Sequence, residues 1–91
     1  MSDTNILRNS IVDFCQEHAD DILLMDGFDE AFIGVGARIN LSPVAIYNRM
    51  KMVKILVTRD GMTYDEADEY ISYNCEGAWV GDTTPIIVNS F

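Results

Sequence analysis

The chain has 91 residues, enough for one domain with one modest core, since a domain of this size hides only about 60–68% of the surface its unfolded chain exposes. Apolar residues make up 48% and charged residues 23%, with a mean hydropathy of +0.05, which is ordinary globular usage and too apolar for a disordered tail. Fifteen acidic against six basic residues give a net charge of −9 and a pI near 4.1, which argues against nonspecific binding to nucleic acid or an anionic membrane, because both need a basic footprint.

The first element is a helix from Asn5 to His18, where Leu7, Ile11, Phe14, Cys15 and His18 share one face and Asp13, Glu17 and Asp20 gather on the other. Ile22-Leu23-Leu24-Met25 either finishes that helix or follows it as a buried segment, before Asp26-Gly27 signals a turn. Ala31 to Ile39 alternates apolar and small residues and reads as a strand, with Gly34 and Gly36 allowing a bulge or a close backbone approach; a helix is the weaker alternative. After Ser42-Pro43, the β-branched and aromatic run Val44-Ala45-Ile46-Tyr47 reads as a second strand.

Asn48 is placed to cap a helix over Arg49–Arg59, with Met50, Met52, Val53, Leu56 and Val57 on a broad apolar face, Lys51 and Lys54 pointing away, and Asp60-Gly61 ending it. Thr63-Tyr64-Asp65-Glu66 is a capping box, in which the threonine hydroxyl accepts from the Glu66 amide and the Glu66 carboxylate from the Thr63 amide. The helix it opens runs to about Glu76, with Tyr64, Ala67, Tyr70, Ile71, Asn74, Cys75 and Ala78 on one side and Asp65, Glu69 and Glu76 on the other. Thr83–Val88 is the last strand, entering at an edge because Pro85 lies near its start. The fold class is α+β, a small single domain of order α-β-β-α-α-β with a small antiparallel sheet.

Summing charge by thirds gives −7 for residues 1–30, +4 for 31–60 and −6 for 61–91. The plain reading is a basic middle element that packs beside the acidic ones and partly neutralises them. The sharper reading is a cationic patch on an acidic protein.

No stretch reaches the roughly 18–20 apolar residues of a spanning helix, and Met1-Ser2-Asp3-Thr4-Asn5 lacks the basic, then apolar, pattern of a signal peptide, so cytoplasmic residence is expected. Cys15 and Cys75, far apart and each among apolar neighbours, read as free buried thiols.

Catalytic chemistry finds little support. The single histidine, His18, lies on the apolar face of the first helix and reads as a core residue, with no Ser or Cys at a spacing that makes a nucleophile–base pair. Two distant cysteines and one histidine do not make a zinc site. The acids Asp20, Asp21, Asp26, Asp29 and Glu30 do not match a calcium loop and read as a solvated turn. Gly34-Val35-Gly36 lacks the third glycine and the Gly-Lys-Ser/Thr of a phosphate loop. No enzymatic activity, cofactor or metal is expected.

Binding finds more. The stripes Asp65, Glu69, Glu76 and Asp13, Glu17, Asp20 repel themselves at one- and two-turn spacing with no folding benefit, so they are either solvated faces or a negative surface for a basic partner. Spaced carboxylates of this kind stand where a nucleic-acid-binding protein meets phosphates. Tyr73 and Trp79 are candidate aromatic anchors of such a contact, Trp79 being otherwise a core residue. Asn74 falls on an apolar helical face, where an unmet amide costs about 1–3 kcal/mol, so it either caps the backbone of the basic helix or of a strand, or lines a polar pocket or interface with Tyr70 and Tyr73. The alternative ligand site is the basic middle, with Arg38, Arg49, Lys51 and Lys54 holding phosphates and Tyr47 stacking on a base.

Asp60-Gly61-Met62-Thr63-Tyr64-Asp65-Glu66-Ala67, then Tyr73-Asn74, Gly77-Ala78-Trp79-Val80-Gly81 and Thr84-Pro85-Ile86, resemble a group of small uncharacterised proteins of tailed phages. The resemblance covers residues 26–88; the N-terminal helix, residues 1–20, lies outside it. It carries no agreed activity and no catalytic residues.

What the resemblance implies is an accessory protein of the host cytoplasm that inhibits a host or defence complex by binding it. Asp13, Glu17, Asp65, Glu69 and Glu76 would supply the electrostatics, and Tyr73 and Trp79 the apolar contact. The alternative is a sponge for an anionic nucleotide signal. A homodimer is a further expectation, burying aromatics near one end.

Overall fold

In the computed structural model, residues 3–38, 41–76 and 84–89 are described. The elements are α1 (Asp3–Gln16), a 3-10 turn (Asp29–Ala31), β1 (Phe32–Arg38), β2 (Leu41–Asn48), α2 (Arg49–Asp60), α3 (Tyr64–Ile71), a π-helical turn (Ser72–Glu76) and β3 (Ile86–Val88). The expected α-β-β-α-α-β order and the α+β class are therefore observed. Among the described residues, no helix is long and apolar enough to cross a membrane.

Local chemistry sets the helix boundaries. Asn48, in extended backbone, accepts the Lys51 N–H on its side-chain oxygen at 2.9 Å and opens α2. Gly61, at φ 71°, takes the left-handed conformation that returns its N–H to the Leu56 carbonyl and closes α2. The capping box forms at α3, with Glu66 N–H to Thr63 Oγ1 at 3.1 Å and Thr63 N–H to Glu66 Oε1 at 2.9 Å.

The strand order is β1-β2-β3. β1 and β2 are antiparallel, pairing Gly34 with Ile46, Val35 with Ala45 and Gly36 with Val44. β3 joins the other side of β2 in parallel, pairing Ile46 with Ile86 and Tyr47 with Ile87, so the sheet is mixed rather than wholly antiparallel. The reason is the crossover: α2 and α3 intervene between β2 and β3 and return the chain in the direction it left. β3 is an edge strand, as Pro85 suggested. At Gly36 a Cβ would lie 2.5 Å from Ile46 Cδ1, so glycine gives the Ile46 side chain its room.

One face of the sheet builds the core. Ala45 and Tyr47 meet Phe28, Ala31, Met52, Val53, Leu56, Ala67 and Ile71, with Ile22, Leu24, Met25, Phe32 and Ile87 packed around them. Leu23 points outward from the segment that follows α1. Edge-to-face aromatic contacts run from Phe14 to Phe32 (6.2 Å) and from Phe32 to Tyr47 (5.7 Å), tying α1 to the sheet.

Several expected burials are corrected. α1 ends at Gln16, two residues short of the position that would hold His18 on its inner face, and His18 is exposed beside the Phe14 ring at 4.8 Å. Among the described side chains of α1, Ile11 and Cys15 are the buried ones, while Phe14 is 42% exposed. On α2, Met52, Val53 and Leu56 face the core and Met50 lies outside. Cys15 is a free buried thiol; the side chain of Cys75 lies outside the described residues.

Candidate binding groove

α3 divides its residues cleanly. Ala67 and Ile71, one turn apart, are fully buried, and Asp65, Glu66, Asp68, Glu69 and Tyr70 are exposed. The short connection from Gly61 to Thr63 folds the C-terminal end of α2 against the outer flank of α3, so that Asp60 and Met62 stand opposite Glu66, Glu69 and Tyr70. The π-helical turn closes the far end with Tyr73 and Asn74. The result is an open groove of about 680 Å³ walled by carboxylates and tyrosines.

The carboxylates differ in what they already hold. Arg59 donates to both oxygens of Asp60, at 3.0 and 3.2 Å, and holds that carboxyl below the usual carboxylate range. Oε1 of Glu66 accepts the Thr63 N–H. Glu69 has no hydrogen-bond or ion-pair partner among the described residues. Tyr73 is 80% exposed and Tyr70 40%.

Asn74 does not sit on the buried face. The wider π turn, with its i→i+5 hydrogen bonding, changes the phase of the helix after Ile71 and carries Asn74 into the groove, where its amide donates to the Tyr70 carbonyl at 3.2 Å. The amide reaches the backbone of its own helix rather than that of the basic helix or of a strand, and the residue lines the groove with Tyr70 and Tyr73.

The other flank of α3 is partly neutralised. Arg49 pairs with the Asp68 carboxylate and also donates to the Asp68 carbonyl and to Ser72 Oγ. Asp65 lies on this flank, in a depression of about 390 Å³ shared with Met50, Val53 and Tyr64. Asp65 and Glu69 therefore border different depressions. Asp13 on α1 and Glu17 just beyond its end are exposed and do not line the groove. The side chain of Glu76, and Trp79 as a whole, lie outside the described residues.

The basic middle is split: Lys51, Lys54 and Arg59 border one depression, and Arg49 borders another beside Asp68. Tyr47 is fully buried with its hydroxyl accepting the Met25 N–H at 2.9 Å, so it is a core residue and offers no face to a base, a correction to its expected stacking role. Burial pushes its hydroxyl above the usual tyrosine range. Lys51 and Lys54 are exposed beside Thr58, Arg59 and Glu30. Arg59 also donates to the Gly27 carbonyl at 2.6 Å and stands 5.8 Å over the Phe28 ring. The side chain of Arg38 lies outside the described residues.

Sequence reasoning missed Asp60 and Glu66 as groove residues, because each already had a structural role there: one ended a helix and the other capped the next. The available signal was their spacing, since a three-residue connection leaves two consecutive helices side by side with these acids at the joint. No group of three or more metal-ligating side chains is assembled among the described residues. Comparison with protein-family models, curated proteins and solved structures finds no match.

Proposed function

We propose that the chain is a non-enzymatic binding protein that engages a basic surface of a host or defence complex and blocks it, acting in the host cytoplasm as a phage accessory protein. The observation that carries this reading is the groove beside α3, where Glu69, Tyr73 and Asn74 stand together with Asp60, Glu66 and Tyr70 on the outer surface. A solvated acidic face has no need of a tyrosine that is 80% exposed, whereas an interface that desolvates cations uses aromatic contact area beside its charges. The net charge of −9 adds long-range attraction for a basic partner and accelerates encounter. Mimicry of a nucleic acid is one form of this reading, with carboxylates in place of phosphates.

The nucleotide-sponge reading gains nothing comparable. It loses Tyr47 to the core, and Arg49 is held against Asp68.

The test is affinity capture of the tagged chain from host lysate at low and moderate salt, beside a variant carrying Glu69→Lys, Asp65→Lys and Asp13→Lys. A stoichiometric partner released by salt and lost by the variant supports the proposal. A partner indifferent to both changes contradicts it.

A further inference from the structure

We infer that the Asp26–Gly27 peptide is a site of covalent self-modification, at which the folded chain passes through a cyclic succinimide to isoaspartate, and that the change loosens α1. Neither step depends on which partner the chain binds: the reactants are the chain's own backbone and water.

Aspartate followed by glycine is the dipeptide in which this chemistry is least hindered, because no Cβ stands beside the attacking nitrogen. The Gly27 nitrogen attacks Cγ of the protonated Asp26 carboxyl. An N–Cγ bond forms, the Cγ–OH bond breaks, and the hydroxyl leaves with the amide proton as water. Water then reopens the ring. Breaking the N–Cγ bond restores aspartate; breaking the bond from nitrogen to the main-chain carbonyl carbon leaves the chain running through Cβ and Cγ, with the former main-chain carbonyl as a free carboxylate. No atom is gained or lost overall.

The chain contains two such dipeptides, Asp26-Gly27 and Asp60-Gly61, and the fold treats them differently. The Asp26 side chain is fully exposed and is met by one long contact, from Arg8 Nη2 to Oδ1 at 3.4 Å. Gly27 is exposed, and its N–H donates no hydrogen bond among the described residues. Nucleophile, carboxyl and water therefore meet without prior opening of the fold. At Asp60, Arg59 donates to both carboxylate oxygens, at 3.0 and 3.2 Å, and disfavours the protonated carboxyl that reacts. The Gly61 N–H is held by the Leu56 carbonyl as the cap of α2. Both reacting groups are occupied there.

The position of Asp26 gives the modification its effect. Arg8 Nη1 donates to the Met25 carbonyl at 3.2 Å and to Asp29 Oδ1 at 2.8 Å, acceptors that lie on either side of Asp26 in the chain. Isoaspartate places an additional carbon in the main chain between them and changes the spacing that Arg8 bridges. No helix or strand stands between Gln16 and Asp29 to hold α1 by other backbone pairing, so α1 is the element that loosens.

The experiment ages the full chain at neutral pH and body temperature, in buffer and in urea, and maps isoaspartate in its peptides with a protein-isoaspartate methyltransferase. In the folded chain Asp26 is expected to isomerise about tenfold faster than Asp60, the factor for first opening a bonded amide and a charge-assisted carboxylate. In urea the two rates should converge. The isolated isoaspartyl form should melt about 4–8 °C below the native chain, the loss of one such contact in a domain of this size, with faster amide exchange in α1. Asp26→Glu keeps the charge and disfavours ring closure, so its melting curve should not change on ageing. Isomerisation at Asp60 as fast as at Asp26, or an Asp26 rate in the folded chain far below that in urea, would overturn the site. An isoaspartyl form that melts with the native chain would overturn the loosening of α1.

Discussion

The Tyr47 hydroxyl accepts the Met25 N–H at 2.9 Å, while the Met25 carbonyl accepts from Arg8 Nη1 at 3.2 Å. One residue, Met25, thus links the central strand, the segment after α1 and α1 itself through its backbone N–H and C=O. Tyr47→Phe keeps the ring and strands the Met25 N–H, a loss of about 1 kcal/mol. For a domain of this size that lowers Tm by about 4–8 °C, measurable by calorimetry. Partner binding should not change, which distinguishes a core tyrosine from one that stacks on a ligand.

Arg8 also pairs with Asp29 at 2.8 Å, and the Asp29 side chain is only 9% exposed. Arg8→Ala removes the ion pair and the Met25 contact together. Because the arginine is one-third exposed, its effect is discounted for solvent screening to about 1–2 kcal/mol. Hydrogen exchange should show α1 opening before the sheet in the variant.

Stability should fall in alkali. Burial pushes the Cys15 thiol and the Tyr47 hydroxyl above their ordinary values of 9.0 and 10.0. Both are neutral when protonated, so the unfolded chain releases these protons at lower pH than the folded one. Their stabilisation is complete below about pH 9 and is lost as pH rises through the raised values. Tyr47→Phe combined with Cys15→Ala should flatten the alkaline limb of a stability–pH curve, although the double variant starts from a less stable protein.

Glu66 serves both the cap and the groove, and the two roles separate by substitution. Glu66→Gln keeps an oxygen for the Thr63 N–H and should leave Tm nearly unchanged while weakening capture of the basic partner. Thr63→Ala removes the other half of the box and should cost about 1 kcal/mol with little effect on binding. Paired melting and titration curves of the two variants check this.

The parts that sequence made legible are those that local chemistry decides. Asn48, Gly61 and the Thr63–Glu66 box each act within one helical turn, and each appears where it was expected. The direction of β3 was not legible, because it depends on how α2 and α3 carry the chain back. Nor was the burial of Tyr47: a strand pattern gives alternation, and only the helices packed on one face decide which residues are inside. Glu69, Tyr73 and Asn74 were legible as polar or aromatic candidates, but their meeting with Asp60 required the α2–α3 joint, and the exposure of Asn74 required the π turn.

The most direct test of the central claim is capture from host lysate by the native chain and by a Glu69→Lys, Tyr73→Ala variant whose melting curve matches the native one. The account predicts a stoichiometric protein partner, weakened by moderate salt and absent from the variant. An unchanged partner on the variant, or a bound nucleotide with no protein partner, would contradict it.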